Sequence, residues 1–283
     1  MKTNASFIHE YDVVDDFTEC VIESVTTLDE CVVDYNNLVR EYELKSFFEG
    51  SQNEEKVSTK KEGIFTRIGN VIINLIKSIG EIITKFVSKF TNRNKEIETD
   101  EKIVNRLCSE HPEIRQEVVE GIEKEWFTYH NVAEYKNDIV GLCMMLRQKK
   151  IDNRTFKEKC SEKFHNLLTK GRTAVIAGAT VASLMALVPK LVKAYKGCKD
   201  TMGDVKKNLE KTRKDLQKCR PKPVKEAVSL GDVAEAVPIE TISAIVQELS
   251  KVSSFITKEM KHIVSGQGKI SSVLKGIITR YKK

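Results

Sequence analysis

Residues 63–90 carry the sequence feature that most constrains the fold of this chain. Their sequence is GIFTRIGNVIINLIKSIGEIITKFVSKF, in which bulky apolar residues recur at steps of three and four. Because an α-helix completes a turn in about 3.6 residues, this spacing places the apolar residues on one side of a helix and the charged residues on the other. The pattern therefore predicts an amphipathic helix whose apolar side needs a cover, either a protein groove or a membrane surface.

Two sets of residues define the surfaces of this predicted helix. The apolar face, which we predict to bind a membrane or a partner, consists of Phe65, Ile68, Ile72, Leu75, Ile76, Ile79, Ile83, Phe86 and Phe90. The cationic face consists of Arg67, Lys77, Lys85 and Lys89. Cations beside an apolar face favour an anionic membrane surface, whereas the apolar stripe alone is equally typical of a soluble helical bundle.

Charge is distributed unevenly along the chain. The formal net charge is +6, but residues 1–58 hold 14 acidic and four basic side chains, so they carry −10 and the remainder carries +16. Residues 11–48 repeat apolar side chains every three or four positions, and we hypothesise that this acidic segment neutralises the basic helix at 63–90. The basic remainder favours phospholipid or nucleic acid, but without interleaved aromatic residues no sequence-specific nucleic-acid binding is expected.

The composition favours an all-α protein. Only five Pro and 14 Gly occur among 283 residues, and the long patterns of three and four predict an elongated multi-helix bundle with long amphipathic helices and no sheet of note. A long coiled coil is less favoured, because no seam persists over many heptads. Seven cysteines without a CxxC motif, and an N-terminus without an apolar signal core, predict a chain made in a reducing cytoplasm without a signal peptide.

Changes in composition divide the chain into six predicted segments. These are an acidic N-terminal helical segment at 1–49, a linker at 50–62, the basic amphipathic helix at 63–92, a helical domain at 99–220, a Pro-containing linker at 221–237, and a C-terminal helix with a basic amphipathic tail at 238–283. The polar residues 91–101 predict a helix break with Thr99 as the next N-cap. The pair Gly266 and Gly268 predicts a second break, before the basic tail.

Residues 173–189, TAVIAGATVASLMALVP, contain no charged side chain and predict an apolar helix. Small residues at four-residue steps predict a close-packing seam that consists of Ala174, Gly178, Ala182 and Ala186. The helix would be about 25 Å long, which is short for a bilayer span. It is interpreted either as the buried central helix of a bundle or as a membrane-inserting hairpin or anchor.

The sequence contains no recognisable catalytic or metal-binding motif. It lacks GxGxxG, GxxxxGK[ST], HExxH and GxSxG. His130 and Glu134, or Cys108 and His111, could each supply half of a metal site, but a structural zinc site usually needs about four ligands. We therefore predict a non-enzymatic protein with no cofactor and no metal.

The arrangement of the first third resembles that of internal or virion-associated structural proteins of large tailed bacteriophages. The resemblance is carried by EGIFTRIGNVIINLIKSIGEIITKFVSKF, residues 62–90, preceded by an acidic helical segment and a polar linker. It implies a non-enzymatic structural role in a virion, with protein partners or self-assembly and with possible engagement of membranes. The residues alone leave open two alternatives, an α-helical pore-forming protein and a soluble scaffold without a membrane role.

Overall fold

From residue 54 onward, the described part of the chain folds into six α-helices. The computed structural model describes residues 26, 30–31, 33–41, 44, 54–120, 127–170, 172–173, 179–219 and 237–282, and residues 33–41 are also helical. The helices are α1 (Glu54–Glu110), α2 (Val132–Arg147), α3 (Asn153–Thr169), α4 (Val181–Met185), α5 (Val188–Lys218) and α6 (Ile239–Tyr281). A 3-10 helix (Pro112–Gln116) and the strands β1 (Thr128–Tyr129) and β2 (Arg172–Thr173) complete the order. The predicted all-α multi-helix bundle is confirmed.

Helix α1 is continuous over 57 residues, so it is about 85 Å long. The predicted linker at 50–62 is wrong for residues 54–62, and the predicted break at 91–101 is wrong throughout. Thr99 lies inside the helix, where its Oγ1 donates to the carbonyl of Lys95 at 2.9 Å. The polar stretch contains neither Gly nor Pro, and Ile97 continues the buried stripe, so packing carries the helix through it.

Helix α6 is also continuous, over 43 residues, and the predicted break between a C-terminal helix and a basic tail is wrong. Each glycine costs about 1 kcal/mol of helix propensity, but burial on both sides of the pair outweighs this cost, as with Val264 and Ile270. Gly268 leaves room for the guanidinium of Arg93 on α1. That guanidinium donates to the carbonyl of Val264 at 2.9 Å.

Helix α6 is the central helix of the bundle, and α1, α5, α2 and α3 all pack against it. Lys275 on α6 pairs with Glu96 on α1 at 3.0 Å, farther along both helices than the Arg93 contact, so α1 and α6 run parallel. Helix α5 runs antiparallel, because the Sγ of Cys219 at its end donates to the carbonyl of Val237 just before α6. The apolar core lies where these three long helices meet.

Helix α2 is joined to α5 by a buried arginine. Arg147 donates from Nε to Asp215 Oδ2 at 3.1 Å and from Nη2 to Thr212 Oγ1 at 2.6 Å. It also contacts Asn208 through both the side-chain and the backbone oxygen. The side chains of Arg147 and Asp215 are 7% and 11% exposed, so the two opposite charges compensate each other away from water.

A short turn reverses the chain between α2 and α3. Lys149 adopts a φ of 56°, and its N–H donates to the carbonyl of Leu146, while the N–H of Lys150 donates to that of Met145. These two bonds form a Schellman motif that ends α2. Asp152 then caps α3 by accepting the Thr155 N–H at 2.7 Å, and this hydrogen bonding lowers the pKa of the Asp152 carboxyl.

The predicted helix at 173–189 is wrong at residues 173, 179 and 180, whereas residues 181–185 and 188–189 are helical. Residues 174–178 lie outside the described part of the chain. Thr173 lies in β2 and pairs with Thr128 of β1. Thr180 forms an isolated bridge with Val118, and a helix begins only at Val181, after a capping box formed by Thr180 and Ser183. Thr173 and Thr180 pair with other segments of the chain and not with a preceding helical turn. The local apolar pattern therefore does not determine the secondary structure of these residues.

Candidate functional site

The predicted binding face of residues 63–90 is covered by protein. Seven of its members are between 0% and 6% exposed, namely Phe65, Ile68, Ile72, Leu75, Ile79, Phe86 and Phe90. The other two, Ile76 and Ile83, are partly buried and pack against the same core. The structure therefore uses this face as a seam of the bundle, which leaves it closed to a membrane in this conformation.

The predicted cationic face lies at the surface of α1. Arg67, Lys77 and Lys85 are exposed and Lys89 is half-buried. Arg67 Nη1 lies 3.1 Å from Glu41 Oε2, which joins α1 to the helical residues 33–41. This exposed pair contributes at most about 1 kcal/mol. It is a contact of the kind that the hypothesis of acidic neutralisation requires, and most of the acidic segment lies outside the described residues.

The predicted close-packing seam is not assembled in the described residues. Ala182 and Ala186 are exposed on and just after α4, whereas Val181 and Leu184 of the same turns are buried. Ala174 and Gly178 lie outside the described residues. None of the described helices combines the length and the apolar character that crossing a membrane requires.

Neither of the two residue pairs predicted as half of a metal site is joined by enough further ligands among the described residues. Cys108 is buried, and His111 Nδ1 lies 3.3 Å from Glu113 on the neighbouring 3-10 helix. Glu134 accepts a hydrogen bond from the side-chain amide of Asn131, three positions earlier, whereas His130 Nδ1 lies beside Glu259. In the described part of the chain, no group of three or more His, Cys, Asp or Glu side chains is placed to hold a metal ion.

A cleft of about 880 Å³ lies among the described helices. It lies between the start of α2, the end of α3 and the first turns of α5. We call it the lysine cleft, because its lining includes five lysines, which are Lys163, Lys170, Lys190, Lys193 and Lys196. Three carboxylates also line it, from Glu134, Asp138 and Asp200, so the lining carries an excess of positive charge.

The lysines of the cleft differ in their partners. Lys163 Nζ lies 3.5 Å from Asp138 Oδ1, so this pair is largely self-compensating. The other four lysines are exposed and form no ion pair with any residue that the structure describes. Lys190, Lys193 and Lys196 follow one another at three-residue steps on α5, which spreads their Cα atoms over roughly 9 Å of helix axis. Such an arrangement concentrates positive potential in a concave surface.

His130 lies on the cleft wall and is held in place by α6. Its backbone N–H donates to Glu259 Oε2 at 3.1 Å, and its Nδ1 lies 3.0 Å from the same oxygen. The ring also meets Phe255 edge-on at 5.5 Å. The buried Nδ1 makes no hydrogen bond within the described residues despite this short distance, so the bond from the backbone N–H is the one that holds His130 against α6. The Glu259 side chain is only 6% exposed, so this backbone contact is shielded from water.

The rest of the cleft wall combines apolar surface with neutral donors. Val132, Tyr135 and Leu167 are buried and form the apolar part. Burial raises the pKa of the Tyr135 hydroxyl well above its usual range, so this side chain remains a neutral phenol. The amides of Asn131 and Asn166 also line the cleft. Apolar surface with a few convergent polar groups is typical of small-ligand sites.

The buried cysteines nearby are poorly suited to nucleophilic chemistry. Burial raises the pKa of the Cys143 thiol to about 12 and raises the pKa of Cys160 and Cys198 further. A thiol with such a pKa carries almost no thiolate at neutral pH, and the thiolate is the reactive form. These side chains therefore act as small apolar groups in the core.

Sequence reasoning missed the lysine cleft, although part of its signal is readable. The three-residue spacing of Lys190, Lys193 and Lys196 is visible in the printed sequence. The contact between His130 and Glu259 spans 129 positions and has no local signal. Only the packing of α2 against α6 brings these two residues together.

No family model, curated protein or solved structure matches this chain.

Proposed function

We propose that this chain is a non-enzymatic helical scaffold that binds protein partners or further copies of itself within an assembly. The observation that carries the proposal is the mutual burial of the apolar faces of the three long helices. Ile72 on α1, Leu209 on α5 and Ile256 on α6 are each 0% exposed. A bundle that covers its own apolar faces presents fixed polar surfaces outward, which suits a spacing and docking role.

The dimensions of the bundle support the same role. Helix α1 is about 85 Å long and α6 is about 64 Å long, at roughly 1.5 Å per residue. Both exceed the diameter of a small domain, about 30 Å. Long helices fixed against one another hold distant surface points at a constant separation, which is useful in a structural component.

Assembly is tested on purified particles. The resemblance to virion-associated proteins makes a virus particle the first assembly to examine. Particles from the organism that encodes the chain are separated by sedimentation, and mass spectrometry measures the copies of this chain per particle. A fixed copy number, together with cross-links from its exposed lysines to another component, supports the proposal. Recovery of the chain only in the unsedimented fraction contradicts it.

Engagement of membranes is a conditional part of this proposal. The apolar face of α1 reaches lipid only after leaving the bundle, which forfeits about 1.5–3 kcal/mol for each large side chain such as Ile72 or Leu75. The contact between Glu41 and Arg67 is where an acidic segment meets the basic helix. We infer that loosening this contact favours release.

Flotation with vesicles of phosphatidylcholine and phosphatidylserine tests the membrane part. Glu41→Arg breaks the ion pair, and the expected result is more flotation than for the unmodified chain. Glu81→Arg is the matched control, because Glu81 is exposed on α1 and is not part of that contact. Equal flotation of both variants, or none, removes the membrane part and leaves the scaffold without a membrane role. No described feature favours the pore-forming alternative, since α4 is only five residues long.

A further inference from the structure

We propose that the lysine cleft is a binding site for a ligand that carries two or more phosphate groups. This inference goes beyond the scaffold proposal and stands without it, because it concerns one cleft and not the assembly of the bundle. Its starting point is the excess of cations at a concave surface of about 880 Å³, a volume within the usual range of small-ligand sites.

The type of cation favours phosphate over carboxylate. The cationic side chains that the described lining contributes are lysines without an arginine, including Lys170 just after α3 and Lys190, Lys193 and Lys196 on α5. An ammonium group binds as a point charge, so it gains more from a phosphate, which carries about −1.5 to −2 at neutral pH, than from a carboxylate with its single charge. A peptide rich in Asp and Glu is therefore the less favoured occupant.

The spacing of the lysines favours more than one phosphate. The Cα atoms of Lys190 and Lys196 lie roughly 9 Å apart along the axis of α5, and their like charges favour separated ammonium groups, so a ligand with several phosphates suits this row better than a single phosphate. Lys193 lies between them, and Lys170, which directly follows α3, adds a fourth charge. A chain or ring of phosphates can engage all four, and each engaged lysine strengthens binding at low ionic strength.

Neutral groups on the cleft wall complete the site. The amides of Asn131 and Asn166 are suitable donors to phosphate oxygens. The backbone of His130 is held by Glu259, and this residue lines the same cleft. The carboxylate of Asp138 faces Lys163, so its charge is already compensated. Asp200 and Glu134 lie at the cleft as well, and their negative charges oppose an anion, so they reduce the excess of positive charge that the lysines provide.

Isothermal titration calorimetry with sodium tripolyphosphate tests the proposal on the full chain. The triple variant Lys190→Gln, Lys193→Gln and Lys196→Gln is compared with a matched triple on the same helix, Lys211→Gln, Lys214→Gln and Lys218→Gln. The control lysines are exposed and removed from the cleft, and both variants lose the same charge. Circular dichroism verifies that each variant keeps its helical content.

The expected result is a dissociation constant at least about ten-fold weaker for the cleft variant, and nearly unchanged for the control. Orthophosphate should bind much more weakly than tripolyphosphate. No binding of tripolyphosphate, or an equal loss in both triple variants, overturns the proposal, because the second outcome indicates only a general attraction to a basic protein.

A second arm distinguishes the source of the phosphates. Vesicles of phosphatidylcholine are compared with vesicles that also contain phosphatidylinositol bisphosphate. Flotation that requires the phosphorylated lipid and is lost in the cleft variant identifies a lipid headgroup. Binding of tripolyphosphate without flotation identifies a soluble ligand. Flotation that the cleft variant retains in full counts against the site.

Discussion

Glu259 on α6 and the backbone of His130 form a contact that connects the central helix of the bundle to the wall of the lysine cleft. One carboxylate oxygen accepts the His130 N–H at 3.1 Å and lies 3.0 Å from Nδ1 of the same residue. A residue of this wall is thus positioned by a helix that supplies none of the described lining residues. The shape of the cleft depends on the packing of α2 and α6.

The first prediction concerns this contact. Glu259→Ala removes the acceptor and leaves a poorly exposed N–H without its partner, so the free energy of unfolding should fall by about 1–3 kcal/mol. Urea denaturation followed by circular dichroism measures the change. Glu259→Gln keeps an acceptor oxygen and should lose less than Glu259→Ala. Equal losses in the two variants would show that the contact contributes through its charge alone.

The second prediction concerns the buried pair of Arg147 and Asp215. Arg147→Ala leaves the carboxylate of Asp215 without its cation in the interior, so we expect a loss of about 3–5 kcal/mol in unfolding free energy. The variant in which both residues become Ala should lose less than the sum of the two single changes, because neither charge is then stranded. Losses that simply add would contradict a direct coupling of these two residues.

The third prediction concerns the apolar seam of α1. Ile79 is 0% exposed, so Ile79→Ala removes buried methylene groups and leaves a cavity, and the free energy of unfolding should fall by about 2–5 kcal/mol. Ile73 is half-buried on the same helix, and Ile73→Ala is the matched control with a smaller expected loss. If the two substitutions cost the same, the apolar stripe of residues 63–90 does not form the seam of the bundle in solution.

The main features of the fold follow from periodicity, and the errors share one cause. Apolar residues at three- and four-residue steps correctly predict the long helices, because that spacing reflects which side must be buried. The breaks predicted at Thr99 and at Gly266 do not occur. Local polarity predicts the first break, and the flexibility of two glycines predicts the second. Both effects contribute less free energy than the packing of α1 and α6 against each other.

The candidate site was less predictable for a different reason. A cleft forms where distant segments meet, and nothing local indicates that Glu259 lies beside His130. The error at 173–189 has the same origin, because Thr173 and Thr180 pair with backbone from other parts of the chain. Local composition cannot report such partners, whereas it does report which face of a long helix is covered.

The fourth prediction concerns the dependence of stability on pH. Burial raises the pKa of the Cys143 thiol from 9.0 to about 12, and it raises those of Cys160 and Cys198 as well. Because the thiol pKa is higher in the folded chain, the thiols of the unfolded chain lose their protons at a lower pH. Stability is therefore fully present below pH 9 and falls as the pH rises toward 12, by at most about 1.4 kcal/mol per pH unit for each thiol.

Urea denaturation at a series of alkaline pH values measures this fall, and replacement of Cys143 by Ala should make it less steep. Alkylation with iodoacetamide gives a second measurement. The three buried thiols should react only after unfolding, whereas rapid labelling of Cys198 in the native chain would contradict the burial on which the prediction depends.

The fifth prediction compares two glycines of α6. Nothing lies within 4 Å of a Cβ built at Gly276, so Gly276→Ala should raise the free energy of unfolding by about 0.4–1 kcal/mol through better helix propensity. A Cβ at Gly268 would lie 3.0 Å from Arg93 Nη1, which is held by its hydrogen bond to the carbonyl of Val264. Gly268→Ala must displace that guanidinium, and the lost bond of about 1 kcal/mol cancels the gain.

Thermal and urea denaturation of the two variants, with Arg93→Ala combined with Gly268→Ala as the control, measure the difference. In the Arg93→Ala background, Gly268→Ala should raise the free energy of unfolding as Gly276→Ala does. An equal gain from both glycine substitutions in the unmodified chain would show that α1 and α6 do not approach each other at this point.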